Sequence, residues 1–98
     1  MALVIAPQIE DKIGADDHGN VTAKEVQECF QNHCGGYCDE QRPEHQNSDG
    51  LPSLWFDAET NKRRVLKIMF VRRDGNIHLK SAYPATDRVR DIFKRKCR

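Results

Sequence analysis

"RRVLKIMFVRRDGNIHLKSAY", Arg63 to Tyr83, is the stretch whose reading decides the fold. Its first half is dense in β-branched and aromatic side chains, the types that fit a pleated, half-buried surface. Alternation places Arg64, Leu66, Ile68, Phe70 and Arg72 on one face, and Val65, Lys67, Met69, Val71 and Arg73 on the other. Apolar residues on both faces predict a central strand covered at least partly on each side. Asp74–Gly75 is a strong signal for a two-residue hairpin turn. "NIHLKSAY" then returns as the partner strand, alternating Ile77 and Leu79 with His78 and Lys80. Counting from the turn sets Arg72 opposite Ile77 and Val71 opposite His78. On that register Lys67, His78 and Lys80 share a face with Met69 and Val71.

Working outward, "SLWFDAET" reads as a further strand that ends in a polar turn at "ETNK". Asp39 to Pro52 is polar and rich in turn residues, a weak strand at best followed by a loop. "TAKEVQECFQN" is a helix with a capping box, Thr22 as N-cap and Glu25 three residues later. Its buried stripe is Val26 and Phe30 with Cys29 beside them, and "CGGYC" predicts a left-handed glycine stop. "ADDHGN" is a loop, preceded by a short helix from Pro7 to Ile13. At the other end Thr86 caps a helix with Val89, Ile92 and Phe93 on its buried face. The sum is an α+β domain over residues 1–98. It has two N-terminal helices, a three- to four-stranded antiparallel sheet and a basic C-terminal helix, with no repeat and no low-complexity segment.

At 98 residues, with 38% hydrophobic and 32% charged side chains, the chain supports one domain with a modest core. No apolar run approaches the roughly 20 residues of a membrane span. The start, "MALVIAPQIEDK", lacks the basic region of a signal peptide, which points to a cytoplasmic protein with reduced cysteines. The net charge of +1 conceals an asymmetry: residues 1–60 carry −9 and residues 61–98 carry +10. Such a split points to a polyanionic partner, commonly nucleic acid. The competing reading is that the two halves neutralise each other across one small surface.

Ser81, Ala82, Ala85, Thr86, Arg88, Arg90 and Phe93, a strand end running into a basic helix, carry a resemblance. This pattern resembles the BrnT family of toxins, RelE-like ribonucleases of bacterial toxin–antitoxin pairs. His18 and Gly19 ahead of a helix, and the basic-led strand from Arg64, are similar to that family in layout. Tyr83 stands where an Arg commonly follows the Ser-Ala pair, and Val89 where an acidic residue is common. The resemblance implies a RelE/BrnT-like fold, metal-independent cleavage of RNA, and a cognate antitoxin protein masking the basic surface. "LKIMFVRRDGNIHLKSAY" is also similar to small bacterial proteins labelled ADP-ribosyl-(dinitrogen reductase) hydrolase. Hydrolases of that name resemble large all-helical domains in which a cluster of Asp holds two Mg²⁺, and this chain is too short for that architecture.

RNA cleavage without a metal needs a base for the 2′-OH proton, cations for the phosphate and an acid for the leaving oxygen. His78 is the candidate base, since flanking Lys67 and Lys80 would favour its neutral form; the plainer alternative is a solvent-facing strand histidine. Arg64 and Lys67 are candidate catalytic cations, although alternation puts them on opposite faces. Tyr83 is a candidate proton donor or stacking platform, or else an ordinary strand-end packing residue. Arg72, Lys80, Arg88, Arg90, Lys94 and Lys96 are candidate RNA-binding residues, contacting phosphates rather than reading bases; for those on the last helix, the alternative is a solvated face. His18 reads as a loop residue.

Cys29, Cys34 and Cys38 with His33 and His45 supply zinc-type ligands, but C-x4-C-x3-C lacks paired C-x2-C knuckles. A disulfide between Cys34 and Cys38, or free thiols, are the other options. Cys29 reads as helix core. No cofactor is expected. The chain is therefore expected to be a toxin ribonuclease. The alternatives are a non-catalytic nucleic-acid or protein binding module of the same fold or, more weakly, a small hydrolase of the ADP-ribosyl group.

Overall fold

The computed structural model describes residues 2–40, 42 and 46–96. In chain order the elements are β1 (Leu3–Val4), α1 (Pro7–Gly14), a 3-10 turn (Asp16–His18), α2 (Ala23–Asn32) and β2 (Cys38–Asp39). They continue with β3 (Ser53–Glu59), β4 (Val65–Arg73), β5 (Asn76–Pro84) and α3 (Asp87–Lys96). The strands form one sheet in the order β1-β5-β4-β3-β2. The α+β class is as expected, but the sheet has five strands, and its β1 edge runs parallel to β5. Both added strands are two residues long, too short to show an alternation. What creates β1 is an unfilled edge: Ile77 donates its N–H to the Ala2 carbonyl at 2.9 Å.

The central hairpin forms as its turn chemistry dictates. Asp74 and Gly75 both take positive φ, 54° and 77°, matching the right-handed twist of the strands they join. Arg72 pairs with Ile77 and Val71 with His78. Beyond that point a β-bulge intervenes: Phe70 pairs with Leu79 but Met69 with Ser81, leaving Lys80 as the extra residue.

Helices α1 and α2 cover one face of the sheet. Ile13, Val21, Val26 and Cys29 pack there on Phe56, Leu66, Ile68, Phe70, Leu79 and Ala82. Phe56 and Phe70 are wholly buried, and truncating either to Ala costs about 3–5 kcal/mol. On the opposite face Trp55, Met69 and Cys38 are covered by Val89, Ile92 and Phe93 of α3. Strand β4 is thus shielded on both sides, and Thr86 caps α3 through Val89 N–H at 3.2 Å.

The capping box of α2 is present: Glu25 N–H donates to Thr22 Oγ1 and Thr22 N–H to Glu25 Oε1, each at 3.1 Å. Its C-terminus differs from the expected glycine stop. Here α2 ends at Asn32 and His33 is extended, with φ −65° and ψ 132°. Asn32 donates to the Glu59 carbonyl at 2.9 Å, and the His33 ring lies 4.1 Å from that of Phe56. Tertiary contacts therefore stop the helix before the glycines are reached. Among the described residues, no helix is long and apolar enough to cross a membrane.

Candidate nucleic-acid interface

The bulge at Lys80 has a chemical consequence. Without it Lys67 would oppose Ala82, and Tyr83 would point at the α1–α2 core. With it the alternation shifts by one: Ala82 enters the core, and Tyr83 lies opposite Lys67 on the α3 side.

Lys67 is 5% exposed, and its ammonium is surrounded. It lies 4.6 Å from the Trp55 ring centre and 5.7 Å from that of Tyr83, a cation–π arrangement. It pairs with Glu40 Oε2 at 3.4 Å. Glu40 also accepts from Arg42, through the backbone N–H at 3.0 Å, Nε at 3.1 Å and Nη2 at 3.2 Å. Burial alone would raise the Glu40 carboxyl. The Arg42 hydrogen bonds and the Lys67 charge outweigh it and hold the group down at about 2. Arg42 is in turn held more firmly protonated by its hydrogen bond to Glu40, with Tyr83 adding to the effect. Glu40, Arg42, Trp55 and Lys67 floor a cleft of about 430 Å³ that is closed on the α3 side by Arg88, Val89 and Ile92.

The other candidate residues are distributed. Lys80 donates to Ser53 Oγ at 3.1 Å on this same face. Its ammonium is lowered by burial first and then by Lys12 and Arg73. His78 is half-buried opposite Val71 and beside β1, on the far side of the bulge from Tyr83. His78 shares the α3-side face with Lys67 and Lys80, as the register count expects, but the bulge makes Lys80 the extra residue and puts Ser81 opposite Met69. Arg72 is exposed with its guanidinium 5.2 Å from the Tyr37 ring centre.

Arg64 lies with the helices instead. It pairs with Glu25 at 3.2 Å and donates to the Gly19 carbonyl. Gly19 has φ +94° and a Cβ there would come within 2.5 Å of Pro84, so the loop sits tightly against the end of β5. That packing sets His18 with its ring centre 6.2 Å from Tyr83, edge to face, and its Nδ1 buried without a hydrogen-bond partner.

The cations divide into two groups. Arg64, Lys67 and Arg73 each pair with a carboxylate from the acidic first 60 residues: Glu25, Glu40 and Asp49. On α3, Arg88, Arg90, Lys94 and Lys96 are exposed and make no ion pair among the described residues, whereas Arg95 pairs with Asp91 one turn away.

Sequence reasoning passed over Glu40, Arg42, Trp55 and Asp57. Trp55 and Asp57 were within reach of it, since alternation along "SLWFDAE" puts both on one face, and a carboxylate between Phe56 and Ala58 is a signal in itself. Asp57 pairs in register with Lys67 on β4, yet neither of its oxygens has a hydrogen-bond partner among the described residues. Burial raises its carboxyl to about 6 against the opposing charges of Lys67 and Arg90.

The cysteines follow the options weighed for them only in part. Cys38 is disulfide-bonded, whereas Cys29 and Cys34 are free, so the pairing of Cys34 with Cys38 does not occur and Cys38 is not a thiol. The reason is placement: Cys38 belongs to β2 and packs beneath α3 beside Trp55, while Cys34 is exposed beyond the end of α2. The expectation of uniformly reduced cysteines is corrected accordingly. Cys29 is core, its thiol pushed up to about 12 by burial and by Glu25 and Glu28. Among the described residues no three His, Cys, Asp or Glu side chains are grouped to hold a metal, and His45 lies outside those residues. No family model, curated protein or solved structure matches the chain.

Proposed function

We propose that this chain is the RNA-cleaving toxin of a bacterial toxin–antitoxin pair, acting in the cleft between the sheet and α3. The observation that carries the reading is the bulge at Lys80, which turns Tyr83 out of the core and over Lys67. Tyr83 is then a platform for a base or a proton donor, and Lys67, Arg42 and Arg88 supply positive charge where a phosphodiester would sit. His18, with an unpartnered ring nitrogen beside Tyr83, replaces His78 as the proposed acceptor of the 2′-OH proton. Arg64 positions this end of the site by clamping Gly19 and Glu25 and does not itself touch RNA. The exposed cations of α3 extend the surface along the strand, and a cognate antitoxin of acidic character would mask them.

A second reading, the same fold binding nucleic acid without chemistry, is favoured by one observation. Glu40 already answers both Lys67 and Arg42, so part of the cleft's positive charge is spent internally. Expression without an antitoxin, together with cleavage of single-stranded RNA in chelator, separates the two. The toxin reading expects growth arrest and cleavage, both abolished in folded Tyr83→Phe and His18→Gln chains. The binding reading expects harmless expression and salt-sensitive RNA binding that Arg88→Ala weakens. An absence of any RNA binding overturns both.

A further inference from the structure

Behind the described cleft, the end of α2, the second half of β3 and Phe93 of α3 enclose a separate pocket of about 350 Å³, within the size range of small-ligand sites. Its polar contents are unusual. Both carboxylate oxygens of Asp57 are buried without a hydrogen-bond partner among the described residues. Buried polar atoms are nearly always paired, so a carboxylate with neither oxygen answered beside a pocket marks an unmet demand. Its flat apolar surface is the Phe93 ring, 6.4 Å from the ring of His33, whose own faces are covered by Phe56 and Tyr37. Next to it, sharing Asp57, Glu59 and Phe93, opens a shallower pocket rimmed by Arg90 and Lys94.

We propose that this pocket binds a guanine base of the RNA, with the Asp57 carboxylate accepting from guanine N1–H and N2–H and the attached phosphate lying toward Arg90 and Lys94. The proposal rests on the RNA reading above and gives it a base preference. Two parallel N–H donors are what a carboxylate with both oxygens open can satisfy. Among the bases only guanine presents such a pair on its Watson–Crick edge, whereas adenine and cytosine each present one amino group beside an acceptor. An arginine side chain offers the same fork. However, Lys67, Arg90 and Lys94 surround Asp57 with positive charge, which repels a cationic ligand and attracts a phosphate-bearing one. Glu59, exposed on the rim, steers the phosphate to the α3 side. The Phe93 ring then holds the base by stacking, as single-stranded RNA is commonly held. Burial raises the Asp57 carboxyl while Lys67 and Arg90 oppose it, and two donated hydrogen bonds would relieve that conflict in favour of the carboxylate.

Titration of the whole chain with the four nucleoside monophosphates tests the site without reference to cleavage. GMP should bind about tenfold or more tightly than AMP, CMP or UMP. Asp57→Asn should erase that preference while the chain still unfolds in one cooperative thermal transition, no lower than that of the wild type, whereas Arg90→Ala should weaken all four alike. Equal binding of the four, binding of none, a preference that survives Asp57→Asn, or binding of an arginine peptide in place of GMP would each overturn the proposal. If GMP binds selectively but RNA is neither bound nor cut, the RNA reading fails and the guanine site stands. If RNA is bound with no preference for guanine, the reverse holds.

Discussion

Glu40 and Asp57 both sit on the α3 side of the sheet within the influence of Lys67, and the molecule treats them in opposite ways. Glu40 collects donors from Arg42 and Lys67 and stays ionised down to about pH 2. Asp57 collects none and protonates near pH 6. Their neighbourhoods differ above all in the presence of a donor at hydrogen-bond distance, and Asp57 also bears the heavier burial. The register places Lys67 opposite Asp57, yet its ammonium is drawn toward Glu40, Trp55 and Tyr83. A buried carboxylate stabilises a fold only when its oxygens are answered. The Glu40 end of the face is therefore internally closed, whereas the Asp57 carboxylate is left unanswered among the described residues.

The largest expected effect lies at the closed end. Glu40→Ala leaves Lys67 buried without a counter-ion and should lower stability by about 3 kcal/mol, measured by urea unfolding at pH 7. A loss below about 0.5 kcal/mol would mean that the pair behaves as a surface ion pair and the contrast fails.

At the open end the sign reverses. Asp57→Asn should stabilise the chain at pH 7.5, by about 1–2 kcal/mol once partial exposure of the group is allowed for. The pH dependence follows from linkage. The folded pKa of Asp57, about 6, lies above the unfolded value of about 4, so the folded state binds the extra proton between those limits. The wild-type chain should thus gain stability relative to Asp57→Asn as pH falls from about 7 to 4. Glu40 behaves oppositely: its stabilisation is complete above the unfolded carboxyl pKa and is lost as pH falls toward about 2. Unfolding curves for the wild type and both variants between pH 3 and 8 check the two slopes together; equal slopes would remove the distinction.

A smaller effect sharpens the comparison from the side of the pocket. Cys34 lines the Asp57 pocket and is exposed, whereas Cys29 is buried with its thiol raised to about 12. A maleimide should modify Cys34 in the native chain and leave Cys29 untouched until unfolding, as mapped by peptide mass spectrometry. GMP at saturation should slow the Cys34 reaction without any change at the Glu40 end.

The smallest effect concerns the bulge. Deleting Lys80 joins Leu79 to Ser81 and keeps Ser81 opposite Met69 and Tyr83 opposite Lys67, so it removes the bulge together with the Lys80 side chain and its Ser53 contact. A loss of about 1 kcal/mol is expected, with Trp55 fluorescence retained. A large spectral change would show that the bulge shapes the Lys67 cage as well as setting its register.

Local chemistry in the sequence was enough for the central hairpin, the Thr22–Glu25 cap, the Thr86 cap and the apolar stripes of α2 and α3. In each case neighbours along the chain dictate the outcome: positive φ at Asp74–Gly75, a side chain reaching three residues on, or a repeat of 2 or 3.6. The pairing of Val71 with His78 was legible for the same reason, because it is counted from the turn. Two residues further the count fails, since nothing local marks Lys80 as the extra residue; the core's demand for Ala82 in place of Tyr83 decides it. The split of charge between the halves was visible, but which cations it neutralises depended on distances between Glu25 and Arg64, Glu40 and Lys67, and Asp49 and Arg73. These are contacts between residues far apart in the chain, formed only after β2, β3 and β4 align. Periodicity and turn chemistry act over a few residues and can be read directly, whereas the burial that strands Asp57 and satisfies Glu40 arises only when the whole sheet closes under α3.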